Sequence, residues 1–215
     1  MPVFILSVFA AFMLLVTGEY LHRTKILTGE ISRKFVHIVF GLFVATWPYY
    51  LDKSYMIALA GMLLVGVVVS YYVNIFTAIH STRNRFVGEM LYAMGILFAA
   101  SFSSTSWVFT TGILCLALAD GMAAVVGTRS GKKAKKIYRR KTVVGTLTFI
   151  FFALLSIGIG YVIGGAETMS QYMFVCFIWL PAFLTFVELT APWGTDNVCL
   201  PVVTTLVLNA LIIAS

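Results

Sequence analysis

The sequence predicts an all-α integral membrane protein, a bundle of about eight transmembrane helices with a basic loop on its cytoplasmic side. Three observations predict it. Hydrophobic residues make up 60% of the 215 residues and charged ones only 11%, with a mean hydropathy of +0.98. A soluble domain of this size could not hide that much apolar surface. Apolar runs recur at close to the ~20 residues needed to cross a hydrocarbon layer. Fourteen of the fifteen Lys and Arg fall in alternate loops.

Taken in order, the first run is 2–21. No basic region precedes it and Glu19-Tyr20 stands where a leader would have small residues, so it reads as a retained helix. The loop "HRTKILTGEISRK" (22–34) leads to a short run, 35–50, then "YLDKSY" and the long run 55–76. "TAIHSTRNRFVG" (77–88) precedes the short run 88–102, and "SFSSTS" precedes 105–126. The loop "GTRSGKKAKKIYRRK" (127–141) carries eight cations before the run 143–164. "GGAETMSQ", the run 171–190, "TAPWGTDN" and the short run 198–214 complete the chain. The cations sit in every second loop, which places those loops in the cytoplasm and both termini opposite. Residues 1–215 read as one domain, without internal repeats, and "GYVIG" (160–164) reads as a helix-packing contact. The three cysteines, Cys115, Cys176 and Cys199, lack metal-ligand spacing and read as buried small side chains.

The polar residues inside the apolar runs carry the chemistry. Six of the eight acids fall toward the basic side: Glu19, Glu30, Glu89, Asp120, Glu188 and Asp196. An ionised side chain near a helix centre costs about 2.5–3.5 kcal/mol on the insertion scale, so such residues are functional candidates. Asp120 lies roughly 10 Å up its helix from Gly127, at 1.5 Å per residue, among Ala117, Gly121, Ala123 and Ala124. One basic partner would satisfy it, and the next loop supplies far more. A polybasic loop is attracted to anionic lipid at about 1 kcal/mol per residue. That leaves Gly127-x-x-x-Gly131-Lys132 unexplained; glycine-freed amides and lysines suit a polyphosphate. It is not a P-loop, because Lys133 stands at the required Ser/Thr position and the glycines are one residue too close.

In "EISRKFVHIVFG", Glu30, Lys34, His37 and Gly41 recur at helical spacing, with Arg33 alongside His37. In "FVELTAPWGTDNVCLP", Glu188 closes one helix while Asp196 and Asn197 open the next. Grouped opposite a polycationic loop, those oxygens suit Mg²⁺ with substrate phosphates, although Asp196 and Asn197 would also serve as ordinary caps.

These residues resemble a family. "RKFVHIVFG" fits the RKxxHxxxG pattern of phytol kinases and CTP-dependent diacylglycerol kinases, and "RNRFVGEMLYAMG" is similar to their GE segment. "ADGMAAVVGTRSGKK…KTVVGTLTF" resembles the nucleotide stretch of phytol and dolichol kinases, and "VELTAPWGTDNVCLP" their closing E…DN..P motif. The resemblance covers roughly 30–205 in the family's order; Thr142 stands where Ser is usual, and the last loop is short. It implies a membrane kinase that moves the γ-phosphate of CTP to a lipid alcohol such as phytol, geranylgeraniol, a polyprenol or dolichol. Membrane lipids and a nucleoside triphosphate are the implied partners, and nucleic acid is not among them. By resemblance, Gly121, Gly127, Lys132, Lys133, Lys136, Lys141, Thr142 and Gly145 would bind nucleotide. Asp120, Glu188, Asp196 and Asn197 are expected to hold Mg²⁺, and His37, Asp120, Glu89, Lys34 and Arg33 to act in catalysis, His37 or Glu89 as base. The rivals are a phosphatidate cytidylyltransferase, whose closing signature is missing here, a CTP-dependent diacylglycerol kinase, and a transporter or lipid-binding protein, which would leave the gathered acids without a reason.

Overall fold

A computed structural model describes residues 1–73, 86–131, 135–138 and 141–215. Among them the chain forms eight long helices. These are α1 (Pro2–Arg23), α2 (Gly29–Ala45), α3 (Lys53–Val73), α4 (Phe86–Phe102), α5 (Ser106–Arg129), α6 (Val143–Gln171), α7 (Val175–Thr190) and α8 (Asp196–Ala214). α1, α3, α5, α6 and α8 are long and apolar enough to cross a membrane; α4 and α7 are shorter apolar helices. The basic loop contributes two short antiparallel strands, β1 (Lys136–Tyr138) and β2 (Lys141–Thr142), with Lys136 opposite Thr142.

α5 is the axis of the bundle. Its membrane-length window is 78% buried against 17% for α1, so α5 is wrapped by protein while α1 faces lipid. Phe40, Ile96 and Leu116 belong to the core on one side of the bundle, and Phe149, Leu184 and Leu208 to the core on the other. α4 lies between α3 and α8, and α1 packs on α2.

Several boundaries differ from the apolar runs. α2 begins at Gly29 because Glu30, Arg33 and Lys34 continue the helix through its charged first turns, and a 3₁₀ turn at Trp47–Tyr49 follows it, where Pro48 blocks continuation. α5 departs from α-helical geometry at Cys115–Asp120, a π-helical stretch of six residues that ends on Asp120. α6 breaks at Gly164. In α8, Pro201 removes the N–H that would bond the Asn197 carbonyl, and α4 approaches that oxygen at Gly95, where a Cβ would collide with it.

Candidate active site

The site begins with one face of α2. Lys34 and His37, one turn apart, both reach Asp120 at the end of the π-helical stretch of α5. The Lys34 ammonium donates to Asp120 Oδ2, and the pair is buried. His37 Nε2 lies 3.1 Å from the Leu116 carbonyl oxygen and 3.6 Å from Asp120 Oδ2. A carbonyl only accepts, so Nε2 carries the hydrogen and Nδ1 is the basic nitrogen of the neutral ring. Tyr92 of α4 packs its ring 4.3 Å from the imidazole and donates its hydroxyl to the His37 carbonyl at 2.9 Å. Small residues make this approach possible: a Cβ at Gly121 would strike Ile38, and one at Gly41 would strike Ala117 and lie 2.8 Å from the Tyr92 hydroxyl. The acid's partner therefore comes from α2 and not from the basic loop that follows α5.

A second charged cluster is assembled by β2, α7 and α8. Lys141 donates to Glu188 Oε1 and lies 3.6 Å from Asp196 Oδ2. Burial works against its charge, but Asp120, Glu188 and Asp196 together outweigh that and hold its pKa above the usual lysine value. Because Asp120 contributes, the two clusters share one field. Asp196 Oδ1 accepts the Asn197 backbone N–H at 3.1 Å, and Asn197 Nδ2 donates to the Gly88 carbonyl at 2.9 Å. Gly194, at φ 88°, lets the α7–α8 turn sit against Gly88, where a Cβ would come within 2.9 Å of the Gly88 Cα.

The glycines expected at the nucleotide lie between helices. Thr142 Oγ1 caps α6 by accepting the Gly145 N–H at 3.1 Å. A Cβ at Gly127 would stand 3.2 Å from that hydroxyl oxygen and 3.6 Å from the Gly145 Cα. These residues thus bring the ends of α5 and α6 together and carry Lys141 to the acids. Lys136 is exposed on β1, while Lys132 and Lys133 lie outside the described residues. Among the described residues no three His, Cys, Asp or Glu side chains converge as a ready-made metal cage. Glu188 Oε2 and Asn197 Oδ1 are nevertheless buried oxygens that accept no hydrogen bond among the described residues.

A cleft of about 280 Å³ opens between α1, α2, α3 and α4. Its body is apolar, including Phe40, Trp47, Leu59 and Leu63, and its polar end has Arg33, His37, Glu89 and Tyr92. Arg33 is oriented by Glu30, at 2.6 Å. Of the two α2 residues that reach Asp120, only His37 also lines this cleft. The imidazole is the wall between an apolar cleft and a buried charge cluster. Sequence reasoning missed Tyr92, the Leu116 carbonyl and the π-helical stretch; Tyr92, one turn beyond Glu89, was the one with a periodic signal.

No family model matches the chain, and no solved structure matches it. Among curated proteins it is similar to a phytol kinase of Synechocystis sp., with 30% identity over 192 residues, 86% of this chain and 81% of the relative. An uncharacterized protein of Methanocaldococcus jannaschii is 28% identical over 189 residues, 84% of this chain and 93% of that one. A probable chloroplastic phytol kinase of Oryza sativa is 29% identical over 157 residues, 66% of this chain and about half, 51%, of the plant protein.

Proposed function

The chain belongs to the phytol and polyprenol kinase family of lipid-alcohol kinases, and from that premise we propose that it phosphorylates an isoprenoid alcohol with CTP as donor. The observation that carries this reading is the His37 partition, with an apolar cleft ending in Arg33, His37 and Glu89 on one side and Asp120 with Lys34 on the other. The alcohol's tail lies in the cleft and its hydroxyl stands at the polar end. The triphosphate lies over the Lys141 cluster, on the cytoplasmic face, with Lys136 and the rest of the basic loop above it.

Phosphoryl transfer asks for positioning and charge neutralisation more than for covalent help from the protein. Arg33 and Lys141 supply positive charge around the moving phosphoryl group, while Lys34 fixes Asp120. The alcohol oxygen bonds to the γ-phosphorus as the bond to the β-phosphate oxygen breaks. Glu89 or His37 Nδ1 takes the hydroxyl proton, since both residues line the cleft and only His37 Nε2 is committed to Leu116. The products are a lipid monophosphate and CDP. The donor set fits Mg²⁺, which prefers one or two carboxylates plus substrate phosphates and waters. Glu188 Oε2 and Asn197 Oδ1 are buried oxygens without a hydrogen bond among the described residues, and Asp196 shares Lys141 with Glu188. Bound there, the ion would neutralise charge on the β- and γ-phosphates.

The test is incubation of the purified protein with γ-labelled CTP, Mg²⁺ and isoprenoid alcohols. Label in a lipid monophosphate supports the proposal. In a parallel incubation with phosphatidate as acceptor, release of pyrophosphate with a CDP-lipid product assigns the protein to cytidylyl transfer instead, and ATP or UTP outcompeting CTP on the alcohols changes the donor.

A further inference from the structure

The cleft has two ends and a side. Its far end is closed: Trp47 and Leu59 are buried, and α1 meets α3 beyond them where the rings of Phe4 and Tyr55 stand 5.1 Å apart. Its polar end is lined, among the described residues, by buried His37 and Glu89. The exposed residues of its lining lie elsewhere, at Phe12 in the middle of α1 and at Met62 and Gly66 in the middle of α3. A Cβ at Gly66 would meet no atom within 4 Å. The cleft therefore opens sideways, between α1 and α3, at the depth of the hydrocarbon. From Ser70, near the polar end, to Met62 is a rise of roughly 12 Å along α3 at 1.5 Å per residue.

We infer that this opening is a lateral portal through which the tail of the acceptor alcohol leaves the protein, with Gly66 as the residue that keeps it open. The inference rests on the kinase reading and adds the acceptor class to it: isoprenoid alcohols of any length beyond a minimum. A cavity of ~150 Å³ accommodates one benzene ring, so about 280 Å³ encloses on the order of ten carbons. The protein grips the hydroxyl and the first two or so isoprene units. Further units pass between Phe12 and Gly66 into the bilayer, where lipid solvates them as well as protein would. Nothing in a closed pocket then has to match the tail's full length.

The experiment compares wild type with Gly66→Phe on isoprenoid alcohols of about ten, twenty and fifty carbons. The portal predicts wild-type rates for the two longer alcohols within roughly threefold of each other. It predicts that Gly66→Phe lowers the ratio of long-chain to ten-carbon rate by about tenfold or more, the scale of an overpacking penalty. Wild type that uses twenty carbons and rejects fifty, or a ratio unmoved in Gly66→Phe, overturns the portal. A twenty-carbon alcohol with a photoreactive diazirine at its tail end reads the route without turnover. Crosslinks at Phe12, Met62 or surrounding lipid support the portal, and crosslinks at Trp47 or Leu59 overturn it. Wild type that phosphorylates no alcohol sinks the kinase reading, and the crosslink then decides the portal separately.

Discussion

Replacing Asp120 by Asn removes one charge from a pair whose side chains are only 4–5% exposed. Lys34 stays buried, its ammonium now facing an amide that cannot neutralise it. Breaking such a pair typically costs about 3–5 kcal/mol, because the desolvated survivor has no counter-charge. For a chain of this size that is a fall of about 6–20 °C in unfolding temperature, at ~2–4 °C per kcal/mol. The double variant Lys34→Met/Asp120→Asn removes both charges and is expected to recover most of that loss, since apolar replacement of buried pairs is often neutral or better. Activity should behave differently. If the pair fixes charge beside the transferring phosphoryl group, the single and double variants both lose ~10²-fold or more in kcat, the scale for removing one preorganised electrostatic group. Thermal unfolding in detergent and turnover with CTP, measured on the same preparations, separate the two effects. Recovery of turnover along with stability in the double variant would refute a chemical role and leave the pair as structural support only.

Three further outcomes follow from the geometry. Lys141→Met should raise the KM for the nucleotide about tenfold or more. Lys141 is held above its ordinary pKa by Asp120, Glu188 and Asp196, so its contribution is complete below the ordinary value of 10.5 and lost only as pH rises past the raised one; a KM for nucleotide that climbs between pH 7 and 9 would contradict this. Thr142→Val deletes the cap on Gly145 and should cost about 0.5–2 kcal/mol in unfolding measurements, with Thr142→Ser retaining the acceptor. Gly95→Ala sets a methyl against the Asn197 carbonyl and should destabilise by roughly 1–3 kcal/mol, where an unchanged unfolding temperature would show that α4 and α8 can separate freely.

The count of helices was legible because hydropathy reports lipid exposure directly, and each expected run corresponds to a helix, from 2–21 with α1 to 198–214 with α8. The approach of Glu188 and Asp196 to the basic loop, which they meet at Lys141, was legible too. The pairing of Asp120 was not. Lys34 and Asp120 are 86 residues apart, and only the packing of α2 on α5 decides that Lys34 reaches the acid while Arg33 turns to Glu30. The glycines show how one residue type serves two purposes: spacing suggested phosphate-facing amides at Gly127 and Gly131 and the resemblance added Gly121 and Gly145, whereas a Cβ at Gly121 would strike Ile38 and one at Gly127 or Gly145 would stand 3.2 or 3.1 Å from its nearest neighbour. The cleft was invisible because it is a shape left between four helices, and no single run encodes it.

The π-helical stretch of α5 carries a consequence for how such a chain can vary. A residue added to or removed from a helix turns everything beyond it by about 100°. Cys115–Asp120 absorbs an extra residue in a wide turn, so Ser106–Leu114 keeps its phase against the core while Gly121–Arg129 is phased for α2 and α6. Deleting Leu118 would let the helix close into regular α geometry with both flanks still in phase, and would remove only the wide turn on which Asp120 stands. One residue can therefore be lost within those six without turning the far half of α5, whereas the same loss in Ser106–Leu114 would turn everything beyond it.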